Sequence, residues 1–377
     1  MVYLDYSATT PVCEAALKKM NEIYKTNFAN PSSTHFAGLR ARQALEQARK
    51  TVAERLGAES DEIYFTSGGT EANNLAVFGA VEAAKKHRDK KRIVVGAIEH
   101  SSVFESVKKL ANDGYDVIFI KPDRHGNISA ADIAGAVDEN TILVSLMYVN
   151  NELGSVMPVK SVKSIIKAKN SPALFHCDCV QAFCKKKFTH NTLDADLISV
   201  TGHKIFAPKG IGALYVKKGV KIMPRSFGGE QERKLRTGTQ AVALAAGLAA
   251  AIEDFDTENY GEKVKEVNRY ARSELKKIEG IIFNSDENAS DYILNFSLPG
   301  YRSETVLNYL SEREICVSSG SACAKGKLSH VMSAVTDDKR EADSAIRLSF
   351  SHLNTKEDID KFISALKSAK EELIKAQ

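Results

Sequence analysis

No run of 18 or more apolar residues occurs in the 377-residue chain, and its opening "MVYLDYSATT" has neither the basic start nor the apolar middle of a secretory signal. A membrane-spanning helix is therefore not expected, and the cytoplasm is the expected compartment. Cysteine is scarce: six residues in a chain this long cannot build the dense disulfide framework of small secreted domains. Three of them fall in "CDCVQAFC" (Cys177, Cys179, Cys184), but these spacings do not match a zinc-ligand pattern, so no metal site is expected. An excess of one charge is missing too. With 52 basic and 48 acidic residues, the net charge of +4 gives no reason to expect direct nucleic-acid binding. The basic runs "KKHRDKKR" (85 to 92) and "KKK" (185 to 187) read first as solvated faces and second as faces for an acidic partner. Internal repeats and low-complexity tracts are absent.

The balance that is present, 43% hydrophobic and 27% charged residues, is that of a globular chain able to bury a large core. At this length two unequal lobes are expected. Short apolar runs at 92–98, 115–120, 141–149, 173–178, 196–200 and 211–216 alternate with segments of helical period such as 101–112 and 158–170. That alternation predicts an α/β fold around a mainly parallel sheet, with ligands at the carboxyl ends of its strands. The Ala-rich stretch 241–255 reads as a buried helix, and the charged helix that follows marks a change of composition. The expected large lobe is 13–255; 1–12 and 256–377 form a smaller α+β lobe with strands near 292–299, 314–323 and 345–350, and with helices near 303–313 and from Thr355.

Three stretches carry chemistry. "FTSGGTEANNLAV" (65 to 77) runs from a strand end through two glycines into a helix, presenting backbone N–H groups and the Thr70 hydroxyl to an anion, although glycines also serve ordinary turns. "HCDCVQA" (176 to 182) sets Asp178 at the end of an apolar strand, where it either caps the next segment or faces a cation such as a pyridinium nitrogen. "TGHKIFAPKG" (201 to 210) sets Lys204 just past another strand, with Thr201 and His203 as further phosphate ligands; a desolvated amine there is a nucleophile suited to an aldehyde. A phosphate cradle, a strand-end carboxylate and a strand-end amine are jointly what pyridoxal 5'-phosphate requires. Near "SSGS", Cys323 is either a buried small hydrophobe or a thiolate on an exposed loop.

Together with "YLDYSATTP" (3 to 11), "NPSSTH" (30 to 35), "EHSSV" (99 to 103), "NNELG" (150 to 154), "GGEQERKLRTGT" (228 to 239) and "VSSGSAC" (317 to 323), these stretches run nearly end to end. In this order they resemble the cysteine desulfurases of the class V aminotransferase group, fold type I enzymes that use pyridoxal phosphate. The resemblance implies that Lys204 holds the cofactor aldehyde and acts as base, and that Asp178 faces the ring nitrogen. Gln181 and Asn151 would lie on the side of the ring hydroxyl, and His100 would stack on the ring and move protons near the thiol. Gly69, Thr70, Thr201 and His203 would hold the phosphate. A threonine of the R-x-G-T loop, here Thr239, would reach the partner subunit's cofactor in a homodimer. Arg347, with Asn151, would bind the carboxylate of the substrate L-cysteine, and Cys323 would take its sulfur as a persulfide, leaving alanine. Only five residues, "AKGKL", separate Cys323 from "SHV". So short a loop resembles members dedicated to one acceptor, such as a tRNA 4-thiouridine synthetase, more than those supplying an iron–sulfur scaffold. A selenocysteine lyase, an aminotransferase for another amino acid and an idle adaptor of the same fold remain alternatives.

Overall fold

The computed structural model describes residues 1–85, 91–319 and 328–375. Its largest sheet has seven strands. In spatial order they are Ile63–Thr66, Gly212–Val216, Leu197–Thr201, Leu174–Asp178, Thr141–Met147, Arg92–Gly96 and Asp116–Ile120. The five from Leu197–Thr201 onward pair in parallel, whereas Gly212–Val216 is antiparallel to both of its neighbours. A parallel return needs a crossover of a dozen or more residues. The ten-residue turn between Thr201 and Gly212 is too short for one, so the chain doubles back.

Thr141–Met147 lies near the middle of the sheet and every residue of it is buried, as expected for a parallel strand covered on both faces. Helices Gly69–Ala84 and Ser101–Asn112 cover one face, packing Ala72, Leu75, Ala76 and Val107 against Ile93, Val95 and Leu214. On the other side, the Ala-rich helix Val242–Asp254 packs between helices Glu14–Thr26 and Phe36–Leu56. Its small side chains let the helices approach closely: a Cβ on Gly247 would come within 2.7 Å of the Met20 side chain. Within the expected helix 158–170, Pro158 precedes a short 3-10 turn, Val159–Ser161, and the α-helix itself covers only Val162–Ala168.

A smaller antiparallel sheet, ordered Ala345–Ser349, Ile293–Ser297, Ile282–Phe283, is covered by helices Thr257–Leu275 and Lys356–Glu372. The last helix starts where its sequence says, with a capping box between Thr355 and Asp358. Of the strand expected at 314–323, Ile315–Cys316 forms and pairs in parallel with Val2–Tyr3. Among the described residues no helix is long and apolar enough to cross a membrane.

One buried ion pair ties distant segments to the sheet edge. Arg49 donates through Nη1 and Nη2 to the Glu232 carboxylate at 2.6 and 2.8 Å, and the Phe65 N–H donates to the same carboxylate at 2.8 Å. The Glu232, Arg233 and Lys234 backbones all lie in the left-handed region, at φ 45°, 53° and 66°. Strain of that kind persists only where surrounding contacts over-determine it. Both side chains are nearly inaccessible, at 3% and 1% exposure, so deleting one partner strands a buried charge. Arg49→Met should lower stability by about 3–5 kcal/mol in urea unfolding. Combining it with Glu232→Leu should recover part of that loss; equal stability of Arg49→Met and the wild type would refute the assignment.

Candidate active site

The carboxyl ends of Thr141–Met147, Leu174–Asp178 and Leu197–Thr201 open onto a cavity of about 800 Å³, closed by the start of helix Gly69–Ala84, the N-terminal segment and residues of the smaller sheet. Thr201, His203 and Lys204 enter it from the short antiparallel return, which ends the strand in a 3-10 turn at Gly202–Lys204. The Lys204 amine donates to the Ala8 carbonyl at 2.7 Å and to the Ser7 carbonyl. Those acceptors are held in place, since Ser7 N–H donates to Ser349 Oγ at 2.8 Å and Thr10 N–H to the His203 carbonyl at 3.0 Å. Burial, then the charges of Lys185 and Arg347, bring the Lys204 pKa down to about 7 against the opposing pull of Asp5 and Asp178. A depression of this size makes the amine far easier to deprotonate near neutral pH than an ordinary lysine, the property a nucleophile or base needs.

Asp178 is buried at the end of its strand, and burial raises its pKa above the usual carboxylate value. Its Oδ1 accepts the Val180 N–H at 2.9 Å, so it does cap the following turn. Its Oδ2 accepts from Asn73 Nδ2 at 2.7 Å, and the same Nδ2 donates to Ser102 Oγ at 2.8 Å. Ser102 Oγ lies 2.8 Å from His100 Nδ1, and the Ser102 N–H donates to that nitrogen. A nitrogen that accepts a backbone N–H carries no proton, which leaves the neutral ring's proton on Nε2. Burial lowers the His100 pKa, so the neutral ring is favoured. Asn73 was not singled out by the sequence reading. Its signal was its position four residues after Gly69, on the same helical face.

Gly68 and Gly69 open helix Gly69–Ala84 beneath Thr201. Gly68 has φ 152°, and a Cβ on Gly69 would sit 2.8 Å from Val180 Cγ2, so both positions demand glycine. The first N–H groups of a helix have no partner inside it, and here they line the cavity beside Thr70 and Thr201. His203 Nδ1 sits 3.2 Å from Thr9 Oγ1, and burial with neighbouring cations brings its pKa to about 4. It is a neutral donor or acceptor there.

From the smaller sheet, Arg347 reaches into the cavity. It donates to the Asn151 carbonyl at 2.9 Å and to Asp5 at 2.6 Å. Asn151 Oδ1 is buried without a partner, and such an atom at a cavity wall is suited to a bound donor. Gln181 donates to the Ser7 carbonyl at 3.1 Å. Thr239 lies exposed outside this cavity, and Cys323 lies outside the described residues. The chain on either side of Cys323 is nonetheless close by: Ser318 pairs with Arg347, and Leu328 and His330 line the cavity. His330 was also missed by sequence; its Nε2 lies 2.9 Å from the Glu99 carbonyl and its ring 4.6 Å from Phe104.

These groups fit pyridoxal phosphate. A buried carboxylate suits the ring nitrogen, a glycine-opened helix suits the phosphate, and an amine of depressed basicity suits the aldehyde. Residues 2–362 match the family model described as Aminotransferase class-V. A putative cysteine desulfurase IscS 1 of Bacillus subtilis (strain 168) is 39% identical over 366 residues, covering 95% of each chain. Among solved structures, a NIFS-like protein superimposes with a TM-score of 0.92 at 35% identity, covering 99% of this chain and 100% of the other. A structure described as SspA in complex with cysteine gives a TM-score of 0.83 at 33% identity, covering 94% and 100%. A match from Val2 to Phe362, with the cavity built from its motifs, places the chain in the class-V aminotransferase family.

Proposed function

We propose that the protein is a pyridoxal-phosphate-dependent cysteine desulfurase that converts L-cysteine to L-alanine and carries the sulfur as a persulfide on Cys323. The observation that carries this reading is the buried, weakly basic Lys204 amine facing Asp178 across one cavity, in a chain 39% identical to a putative desulfurase. Bound pyridoxal phosphate supplies an aldehyde for the substrate amine and an electron sink that makes the substrate Cα–H acidic.

The chain's own residues do the rest. Gly69, Thr70, Thr201 and His203 would hold the phosphate; Asp178 would keep the ring nitrogen protonated; Gln181 and Asn151 would serve the ring hydroxyl. Arg347 binds the substrate carboxylate as a two-pronged donor. Lys204 Nζ takes the Cα proton; the His100 imidazole would stack on the cofactor ring, and its Nε2 moves protons near the sulfur. The Cys323 thiolate attacks the substrate sulfur: the S–S bond forms, the Cβ–S bond breaks, and its electron pair returns to carbon, where a proton completes alanine. The positions of Ser318 and Leu328 support a thiol arriving from this rim.

Residues 13–255 form the cofactor lobe in this reading, and 1–12 with 256–377 the second lobe. The pairing of Val2–Tyr3 with Ile315–Cys316 and the bridge from Asp5 to Ser349 support assigning the N-terminus to the latter. The enzyme works as a cytoplasmic homodimer in which Thr239 serves the partner's phosphate; exposed Phe28, Phe36 and Phe227, at 76%, 74% and 86%, support a covered surface. The five-residue spacer after Cys323 favours one dedicated acceptor, a tRNA 4-thiouridine synthetase, over an iron–sulfur scaffold.

Lys204→Ala should lose the cofactor's covalent attachment, read as its visible absorbance and borohydride trapping, and slow alanine release by at least about 100-fold. Unimpaired alanine release would reject the base assignment. After incubation with L-cysteine, mass spectrometry should find one extra sulfur on the peptide containing Cys323, and labelled sulfur should pass from it to the synthetase. If Cys323→Ala still releases selenium from L-selenocysteine and L-cysteine is turned over no faster by the wild type, the lyase reading takes its place. Sedimentation velocity should show a dimer, which Phe227→Asp weakens; a monomeric wild type contradicts the role given to Thr239.

A further inference from the structure

Lys185 follows Asp178 by seven residues and belongs to no ion pair among the described residues; its side chain is half-buried between an open surface groove and the interior. Its Nζ donates to Gln181 Oε1 at 3.2 Å and lies 5.3 Å from the centroid of the Tyr292 ring. It shares a small inner cavity with Lys204, Tyr6 and Phe350. Gln181 donates from its other end to the Ser7 carbonyl at 3.1 Å, and that carbonyl also accepts from Lys204 Nζ. One amide and one carbonyl therefore join two lysines through a space walled by aromatic rings. An ammonium only donates and a carbonyl only accepts, so Lys185 and Ser7 fix the same orientation of the Gln181 amide from its two ends. In such a space the repulsion between two cations is screened far less than in water.

We propose that Lys185 is a positioning residue of the reaction, one that locks the amide of Gln181 and keeps the Lys204 amine unprotonated, ready to act as base. The other groups facing Lys204 are Asp5 from the N-terminal segment, Asp178 from its strand end, Arg347 from the smaller sheet, and His100 and His203 from the cavity wall. Of these, Arg347 is engaged by Asp5 at 2.6 Å, whereas Lys185 has no carboxylate to offset it. Burial lowers the pKa of both amines, Lys185 to about 8 and Lys204 to about 7, and the Lys185 charge stands first among the cations that lower Lys204. The inference rests on Lys204 being the reactive amine.

The test titrates Lys204 directly in the full-length, cofactor-free protein, by pH-dependent acetylation with trace acetic anhydride read on the Lys204 peptide by mass spectrometry. The wild-type midpoint should fall near 7. Lys185→Met and Lys185→Gln should raise it by about one unit, and Lys185→Arg should restore it. The pH-dependent absorbance transition of the loaded enzyme should move in the same direction. A midpoint unchanged in a folded Lys185→Gln, or a rise that Lys185→Arg does not reverse, overturns the proposal. If Lys185→Met does not fold, the Gln and Arg pair still decides it. A wild-type midpoint at the ordinary lysine value of about 10.4 instead rejects the reading of Lys204 itself, whatever Lys185 does.

Discussion

An amine taken out of water without a carboxylate to pair with is the constraint around which this cavity is organised. Lys204 is held by backbone carbonyls of Ser7 and Ala8, groups that accept hydrogen bonds without carrying a full negative charge. The result is an amine that is positioned but easily deprotonated. Arg49 shows the opposite treatment of a buried cation in the same chain: Glu232 takes both prongs of its guanidinium, and the pair serves as a strut. The difference is chemical. An ion pair that neutralises a cation stabilises its charged form, and a catalytic amine must be able to give that form up.

The sheet makes this possible by where its strands end. Three parallel strands deliver Met147, Asp178 and Thr201 to one edge, and the antiparallel return after Thr201 folds Lys204 back over that edge instead of carrying it away into a crossover helix. The N-terminal segment, tied to the smaller sheet through Ser349, brings the carbonyls that hold the amine. The Lys204 site is thus built from both ends of the chain and its middle, and its electrostatics depend on the two sheets keeping their places.

A chain of hydrogen bonds from Asp178 through Asn73 and Ser102 to His100 links the carboxylate beneath the cavity to the imidazole at its wall. It orders both without neutralising either. Asn73 meets Asp178 with a neutral amide donor, which orders the carboxylate without pairing its charge to a cation.

Much of this was legible in the sequence, because strand ends and helix starts announce themselves through local rules. Alternating apolar runs located six of the seven large-sheet strands, the double glycine before "TEANN" marked a helix start, and Asp178 and Lys204 stood out as charged residues at or just past the ends of apolar strands. Apolar periodicity carries no strand direction; that Gly212–Val216 runs antiparallel follows instead from a connection too short for a parallel crossover. Nor could periodicity find Asn73, His330 or Lys185, whose importance lies in partners 105, 231 and 4 residues away in sequence, the last on an ordinary-looking basic run. Composition and periodicity determined the fold class, and residue type just past the strand ends singled out Asp178 and Lys204 as candidates, because both follow from side-chain chemistry and period. Only the tertiary structure decided their basicity, because a pKa is set by what surrounds a group in space, and burial beside other cations cannot be read along a chain.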